Sequence, residues 1–233
     1  MSDLNPELKS WLELMQTEED LLPELQDYYE EGGNFPMVRH PLVFSVPHSP
    51  QQNAMLNEQY RVKLASVEKA FCDNNFGTYI ALHERAYRLD AFKTFIENSV
   101  VGNKEYWSTL ADIYTDSENI YQNFDEWVEL LSCDRDFKRC LMNEDELETL
   151  YELPEKILVF RGYKYGDTSK WLSWSIDYGT AKFFADRFVA DGHLASGYVD
   201  KNDVIAYFNA RDEDEILVKF EDVQLVIMKV EEV

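Results

Sequence analysis

An arginine stands at the end of a short apolar run, where a charged side chain needs a partner. Residues 157–160 are Ile-Leu-Val-Phe, a run typical of a buried strand, and Arg161 and Gly162 follow directly. A guanidinium group forms paired hydrogen bonds with phosphates and carboxylates, which makes Arg161 a candidate anion-binding residue. An ordinary ion pair with a surface glutamate explains the same residue, and this segment alone favours that simpler interpretation.

Two serines alternate with bulky apolar residues a few positions later. Residues 171–175 are Trp-Leu-Ser-Trp-Ser. Alternate residues of a strand share a face, so Ser173 and Ser175 are expected on one face and Trp174 on the other. The pair is suited to holding a ligand, and it fits equally well a half-exposed strand that leads into a helix N-cap.

Two glutamates precede an apolar run further along the chain. Residues 211–215 are Arg-Asp-Glu-Asp-Glu. A strand here places Glu213 and Glu215 on one face, while Ile216 and Val218 pack on the other. Two adjacent carboxylates repel each other, which raises one of their pKa values and favours acid–base chemistry. In a chain this acidic, a solvated turn is an equally good interpretation of the segment by itself.

The order of these three segments is more specific than any one of them. A strand ending in arginine, a Ser-x-Ser pair before a helix and a Glu-x-Glu pair opening a strand resemble the R-S-E class of mono-ADP-ribosyltransferases. This cholera-toxin-like group includes phage-encoded host-modifying enzymes and bacterial toxins. The resemblance covers about residues 155–220. Residues 177–185 resemble the helix that follows the serine strand in these enzymes, and residues 207–211 resemble their substrate-facing loop.

The resemblance implies that ADP-ribose moves from NAD to a macromolecule with release of nicotinamide. It assigns Glu215 to a hydrogen bond with the ribose 2′-hydroxyl, which stabilises an oxocarbenium-like transition state as in glycoside cleavage. By the same resemblance, Ser173 orients Glu215 and the nicotinamide ribose. Arg161 holds the phosphates of NAD, and Glu213 acts as the base towards the acceptor.

Further residues are expected around the NAD site, and one position departs from the family pattern. Gly162 and Ser175 are expected to border the site, with Ser175 as an N-cap or support, and Phe183 or Phe184 packs either the nicotinamide pocket or the core. The family's usual Ser-Thr-Ser is Ser-Trp-Ser here, so Ser173 is the expected functional serine. The chain has no G-x-G-x-x-G motif, so a Rossmann mode of NAD binding is not expected.

The acceptor is the least specified part of the prediction. In this family a glutamate two residues before the catalytic one usually accompanies arginine acceptors, so the resemblance favours a protein arginine. A nucleobase in RNA or DNA is the alternative acceptor, in a toxin of a toxin–antitoxin system or a phage host-takeover factor. A different class of function is a non-catalytic acidic protein that docks a basic partner.

The charge balance limits the classes of partner. The 233 residues include 45 Asp and Glu against 22 Lys and Arg, a net charge of −23. Such a surface repels phosphate backbones and anionic lipids, which argues against a general nucleic-acid binder or a membrane-surface protein. The N-terminus has no apolar stretch of the secretory type, and no run is long enough to span a membrane.

The cysteines indicate a reducing compartment. The chain has three, with no C-x-x-C pair, so neither a structural disulfide nor a zinc or other metal site is expected, and the predicted location is cytoplasmic. Cys133 and Cys140 are seven positions apart, which predicts that they pack on one face of a helix.

Composition divides the chain at its proline-rich segment. Residues 1–35 are acidic, with apolar residues at helical spacing: Leu4, Leu8, Trp11, Leu12 and Met15. Residues 36–50 hold four of the seven prolines, which predicts a loop or a wrapping arm. Residues 1–50 are therefore expected to form an acidic N-terminal helix and proline-rich arm, which either docks an antitoxin or another basic protein or simply faces water.

Residues 51–233 are expected to form one ADP-ribosyltransferase-like domain, with a helical part at 51–153 and a catalytic sheet at 154–233. Helical spacing predicts three apolar stripes, which are Tyr79-Leu82-Ala86-Leu89-Phe92, Tyr106-Leu110-Ile113 and Ile120-Phe124-Trp127-Leu131. Asn143 and Glu146 resemble a capping box. A helix is predicted from Tyr178 to about Val189, and strands over 203–208, 215–218 and 223–228. The predicted fold class is α+β, with N-terminal helices followed by a mixed or antiparallel sheet of ADP-ribosyltransferase type.

Overall fold

The protein combines helices with an antiparallel sheet, as the α+β prediction requires. A computed structural model describes residues 9, 13–14, 17–118, 120–164, 170–187, 192–209 and 211–229, with the backbone alone at residues 46 and 227–229. Its content is 52% helix and 17% strand. The chain forms two compact units, Met1–Val101 and Gly102–Val233. The division expected at residue 50 stays a prediction.

The first unit contains a small sheet and helices. Its elements are α1 (Pro23–Gln26), β1 (Tyr29–Glu30), β2 (Met37–Val38), β3 (Val46–Pro47), α2 (Asn53–Cys72), α3 (Phe76–Leu82) and α4 (Arg88–Asn98). Strands β1, β2 and β3 pair antiparallel in that order. The segment 36–50, expected to be a loop or arm, thus supplies two of the strands. Pro47 is tolerated because β3 is at the edge of this sheet, where a missing N–H breaks no ladder. The residues on which the N-terminal helix was predicted, Leu4 to Met15, lie outside the described residues except for 9, 13 and 14.

The predicted stripe from Tyr79 to Phe92 is divided between two helices. Helix α3 ends at Leu82, and α4 begins at Arg88 after a 3₁₀ turn, Arg85–Tyr87. His83 and Glu84 have extended backbones, with ψ of 147° and 146°. Glu84 N donates to Pro41 O at 2.8 Å, and this contact with a residue distant in sequence replaces the helical bond that periodicity predicted.

The second unit begins with helices α5 (Asn103–Asp116), α6 (Phe124–Leu131) and α7 (Glu144–Glu152). The predicted apolar positions of α5 and two of those on α6 are buried: Tyr106, Leu110, Ile113, Trp127 and Leu131. The capping box of α7 is confirmed, because Asn143 and Glu146 each accept the other's backbone N–H at 2.9 Å.

The prediction that Cys133 and Cys140 share a helix face is wrong. Helix α6 ends at Leu131, and Cys140 lies in a separate 3₁₀ turn, Lys138–Leu141. Between them Phe137 has a left-handed backbone, with φ of 65°. Both cysteines are partly exposed and unbonded to each other.

A six-stranded antiparallel sheet completes the second unit. Its strands are β4 (Lys156–Lys164), β5 (Ser173–Ser175), β6 (Gly192–Asp200), β7 (Ala206–Phe208), β8 (Glu215–Leu217) and β9 (Gln224–Lys229). They lie in the order β7-β8-β5-β4-β6-β9. Helix α8 (Tyr178–Asp186) begins where predicted and ends earlier than Val189, which is outside the described residues. The buried side of the sheet is apolar and includes Ile157, Val159, Trp174, Ile216 and Val218.

Helix α8 lies unusually close to the strands beneath it. A Cβ on Gly162 would stand 2.3 Å from both Ala181 O and Ala185 N, and a Cβ on Gly192 would stand 2.1 Å from Ala185 O. Only glycine permits such an approach of helix backbone to strand backbone. Gly162 therefore has a packing role whatever it does at the neighbouring site.

Candidate active site

One pocket in the second unit brings the three chemistry-bearing segments together. Its volume is about 380 Å³, within the range of small-molecule sites. Residues from α5 and the turn after it, from β4, β5 and α8, and from the loop leading into β8 line it. Six of the seven residues that sequence reasoning selected are among them: Arg161, Gly162, Ser173, Ser175, Glu213 and Glu215.

Sheet order explains how segments distant in sequence meet. Strand β5 lies between β4, which carries Arg161, and β8, which begins at Glu215. Ser175 pairs with Phe160 on one side and with Glu215 on the other. Neighbouring strands are roughly 4.8 Å apart, so the arginine, the serines and the glutamate lie within two strand spacings.

The two serines have different partners although they alternate on one strand. Ser173 forms a side-chain hydrogen bond with Glu215. Ser175 Oγ donates to Glu213 O at 2.7 Å and accepts from Asp177 N at 3.0 Å. Asp177, whose Oδ2 accepts from Thr180 N at 2.6 Å, is the N-cap of α8. Ser175 is thus a support for the glutamate loop and the helix start, and not the N-cap itself.

Glu215 is partly buried and accepts hydrogen bonds from two hydroxyl groups, those of Ser173 and Tyr114. Burial raises the pKa of Glu215, and the negative charge of Glu213 adds a smaller upward shift. The two hydrogen bonds and the positive charge of Arg161 act in the opposite direction. The sequence predicted a raised pKa from repulsion alone, whereas loss of water contact is the larger cause.

Tyr114 is the site residue that sequence reasoning missed. Its side chain is 3% exposed, its ring stacks on Phe208 at 5.7 Å between centroids, and Trp127 meets it edge-on at 5.3 Å. Its hydroxyl donates to Glu215 Oε1 at 3.1 Å. Burial, followed by the charge of Glu215, raises the pKa of Tyr114 well above its ordinary value, so it remains a donor. A tyrosine four positions after Leu110 belongs on the buried helix face and needs a partner for its hydroxyl, which was the available signal.

Glu213 lies in a loop and not on the predicted strand. Strand β8 starts at Glu215, and Asp212 and Asp214 on either side of Glu213 are left-handed, with φ of 55° and 46°. Asp is among the few residues that adopt this conformation, at a cost of about 1–2 kcal/mol each. Contacts offset that cost, since the Tyr207 hydroxyl donates to Asp214 Oδ1 and Ile176 N donates to Asp214 O at 3.0 Å.

Arg161 interacts with the serine strand and an aromatic ring. Its Nη1 donates to Ser173 O, and its guanidinium carbon lies 5.4 Å from the centre of the Trp171 ring. These contacts orient the guanidinium group in the pocket.

Two further cationic side chains line the pocket. Lys170 Nζ lies 4.0 Å from Asp125 Oδ2 and 5.6 Å from the centre of the Tyr121 ring, and Arg211 donates to Thr115 O. Together with Arg161 they give three cations in one pocket of a chain whose net charge is −23. Three glutamates, Glu118, Glu213 and Glu215, line the same pocket, so the cations offer individual donors to phosphate groups and not a net positive charge.

The two phenylalanines of α8 were expected to pack either the nicotinamide pocket or the core, and they lie in different surroundings. Phe183 is 62% exposed, so the interpretation as core packing is wrong for it, and the described pocket lining contains Phe184 instead. Phe184 is partly buried. The backbone of Ala181 and Ala185 packs against Gly162 of β4 and Gly192 of β6. Phe184 lies on this same face of the helix, which therefore faces the sheet.

Within the described ranges, no group of three or more His, Cys, Asp or Glu side chains is arranged to hold a metal ion. None of the helices in the described part of the chain is both long and apolar enough to cross a membrane.

Comparisons of the chain with protein-family models, with curated proteins and with solved structures found no match.

Proposed function

We propose that the protein is a mono-ADP-ribosyltransferase that moves ADP-ribose from NAD to a macromolecular acceptor, with a protein arginine as the favoured acceptor. The observation that carries the proposal is the meeting of Arg161, Ser173 and Glu215 in one pocket, from three adjacent strands. Three segments that merely resembled a motif by chance would have no reason to converge on one cavity.

The pocket has the chemistry that NAD binding needs. Arg161, Lys170 and Arg211 supply positively charged donors for a diphosphate, and aromatic side chains including Tyr121 and Phe184 supply flat apolar surface. NAD is a co-substrate here, so no resident cofactor and no metal are part of the proposal.

Each polar residue has a role that follows from its contacts. In the transfer, the bond between ribose C1′ and the nicotinamide nitrogen breaks, its electron pair leaves with neutral nicotinamide, and C1′ bonds to the acceptor. The acceptor's proton goes to the Glu213 carboxylate. Glu215, oriented by Tyr114 and Ser173, hydrogen-bonds the ribose hydroxyl and stabilises positive charge at C1′.

Release of nicotinamide from labelled NAD tests the proposal. Glu215→Gln and Arg161→Ala should each lower the rate by about a hundred- to a thousand-fold, as loss of a preorganised group does. Glu221→Gln and Arg139→Ala change the same residue types at exposed positions and should retain activity. If the wild type releases no nicotinamide, or if Glu215→Gln releases it at the wild-type rate, the proposal is wrong.

The acceptor is identified by labelling a cell lysate. The lysate is incubated with NAD labelled in its adenylate part and divided between protease and nuclease. Label lost only to protease supports a protein acceptor, and label lost only to nuclease indicates a nucleobase. Absence of NAD binding, together with a partner whose affinity falls steeply with salt, would instead indicate a non-catalytic acidic protein.

A further inference from the structure

A buried glutamate of helix α7 reaches the loop that carries Glu213. The Glu146 side chain is 8% exposed. Its Oε2 accepts from Asn143 N at 2.9 Å, which is its part of the capping box. Its Oε1 accepts from Asn209 N at 3.0 Å, from a residue 63 positions further along the chain. The cap of the helix needs only the first of these bonds.

Asn209 in turn holds both residues that flank Glu213. Asn209 O accepts from Asp212 N at 3.1 Å, and Asn209 Oδ1 accepts from Asp214 N at 3.4 Å. Asp212 and Asp214 are the left-handed residues of the loop. The position of Glu213 between them therefore depends in part on Asn209, beside the bonds from Ser175 Oγ to Glu213 O and from Ile176 N to Asp214 O.

Glu215 is held by other contacts. It is the first residue of β8, where it pairs with Ser175 of β5 and Phe208 of β7, and Tyr114 donates to its carboxylate. Ser175 supports both glutamates, by strand pairing for Glu215 and through its hydroxyl for Glu213, whereas Tyr114 bonds the Glu215 carboxylate.

We propose that Glu146 is a positioning residue for Glu213, acting through its bond to Asn209. This inference rests on the proposed function, in which Glu213 takes the acceptor's proton. Loosening the loop should then impair transfer to the acceptor more than the breaking of the nicotinamide bond, because Glu215 keeps its own supports.

Glu146→Gln tests the inference, because an amide has one acceptor oxygen and an NH₂ group that cannot accept. It can satisfy the Asn143 N–H or the Asn209 N–H, but not both, so Glu146→Ala, which removes both acceptors, is measured beside it. Asn143→Ala is the matched control, since it removes the side-chain cap on Glu146 N and leaves both carboxylate bonds in place. All three variants weaken the helix start, so stability alone does not distinguish them.

The first readout is the ratio of acceptor labelling to nicotinamide release without acceptor. The acceptor is an arginine-containing peptide or an RNA or DNA oligonucleotide, whichever the lysate experiment identifies. We expect the ratio to fall about tenfold in Glu146→Gln and Glu146→Ala, the effect of losing one charge-assisted hydrogen bond, and to stay at the wild-type value in Asn143→Ala. An unchanged ratio in Glu146→Ala, or an equal fall in Glu146→Ala and Asn143→Ala, overturns the inference.

The second readout is amide hydrogen exchange of the loop around Glu213, which needs no activity. Exchange at Asp212 and Asp214 should become faster in Glu146→Gln and Glu146→Ala and remain unchanged in Asn143→Ala. If exchange at Asp212 and Asp214 is unchanged in Glu146→Ala, the proposed role of Glu146 in holding the loop is wrong even in an active enzyme. Failure of the wild type to release nicotinamide overturns the proposed function instead, so the two failures are distinguishable.

Discussion

The hydroxyl of Tyr114 donates a hydrogen bond to Oε1 of Glu215 at 3.1 Å, across 101 positions of sequence. The bond connects the last turn of a helix to the first residue of a strand. Both ends are fixed by packing, since Tyr114 lies between Phe208 and Trp127 and Glu215 is paired on both sides. The carboxylate is thereby oriented in the folded chain before any ligand arrives, which is the condition for electrostatic catalysis.

Tyr114→Phe should change the pH dependence of nicotinamide release. The substitution removes the hydroxyl and keeps the ring packing. A hydrogen bond to the ionised carboxylate holds the pKa of Glu215 down, so its loss raises that pKa further. The acid limb of the pH–rate profile should move upward by about one pH unit.

Tyr106→Phe is the control for this change. Tyr106 lies on the same helix, and its hydroxyl donates to Leu130 O at 3.1 Å, away from the described pocket lining. Its profile should match the wild type. Identical profiles for the two variants would show that the bond from Tyr114 does not govern Glu215.

Ser173→Ala should mainly lower activity, and Ser175→Ala should mainly lower stability. Ser173 bonds the Glu215 carboxylate, so Ser173→Ala should slow nicotinamide release by roughly ten- to a hundred-fold with little change in melting temperature. Ser175 is buried between Glu213 O and Asp177 N. Ser175→Ala leaves both groups without that partner and should lower the free energy of unfolding by about 1–3 kcal/mol, measured by urea denaturation. The reverse pattern would make Ser175 the functional serine.

Glu215→Gln should stabilise the fold increasingly as the pH rises. The pKa of Glu215 is raised in the folded chain from its ordinary value of 4.5, chiefly by burial. Between the unfolded and folded pKa values the folded chain binds more protons, so stability falls as pH rises through that window. Below pH 4.5 the carboxyl is protonated in both states, and its contribution to folding is fully present.

Melting temperatures from pH 4 to 8 check this prediction. The melting temperature of the variant should exceed that of the wild type at pH 8, and the difference should close towards pH 4. Glu221→Gln, at an exposed position, controls for the loss of one negative charge. A constant difference across the range would contradict the raised pKa.

Gly162→Ala should separate helix α8 from strand β4. The new Cβ would overlap the backbone of Ala181 and Ala185 at 2.3 Å, and backbone atoms cannot move aside as a side chain can. We expect a loss of about 1–3 kcal/mol or more in the free energy of unfolding. Gly77→Ala, on helix α3 with nothing within 4 Å of the added atom, should be neutral or stabilise by up to about 1 kcal/mol. Equal effects of the two substitutions would show that the close approach is not needed.

The spacing of apolar residues correctly predicted those features that depend only on residues nearby in the sequence. The buried positions on α5 and the cap at Asn143 depend on neighbours within a turn or two, so spacing alone identified them. Spacing failed where a distant contact replaced a local bond, as when Glu84 bonds to Pro41 and divides a helix. It left a strand and a turn equally open for Glu213, because nothing in the alternation of charges revealed two left-handed aspartates.

The order of an arginine, two serines and two glutamates along the chain was visible without any structure. The sequence alone also predicted the strands on which Arg161, the two serines and Glu215 lie. Tertiary structure decided what these residues do to one another, because sheet order and helix docking depend on packing between segments far apart in the chain. That packing selects Ser173 over Ser175 as the partner of Glu215, brings Tyr114 to the same carboxylate and removes Phe183 from the described pocket lining. Residue types determined which chemistry this chain can do, and burial determined which atoms are placed to do it.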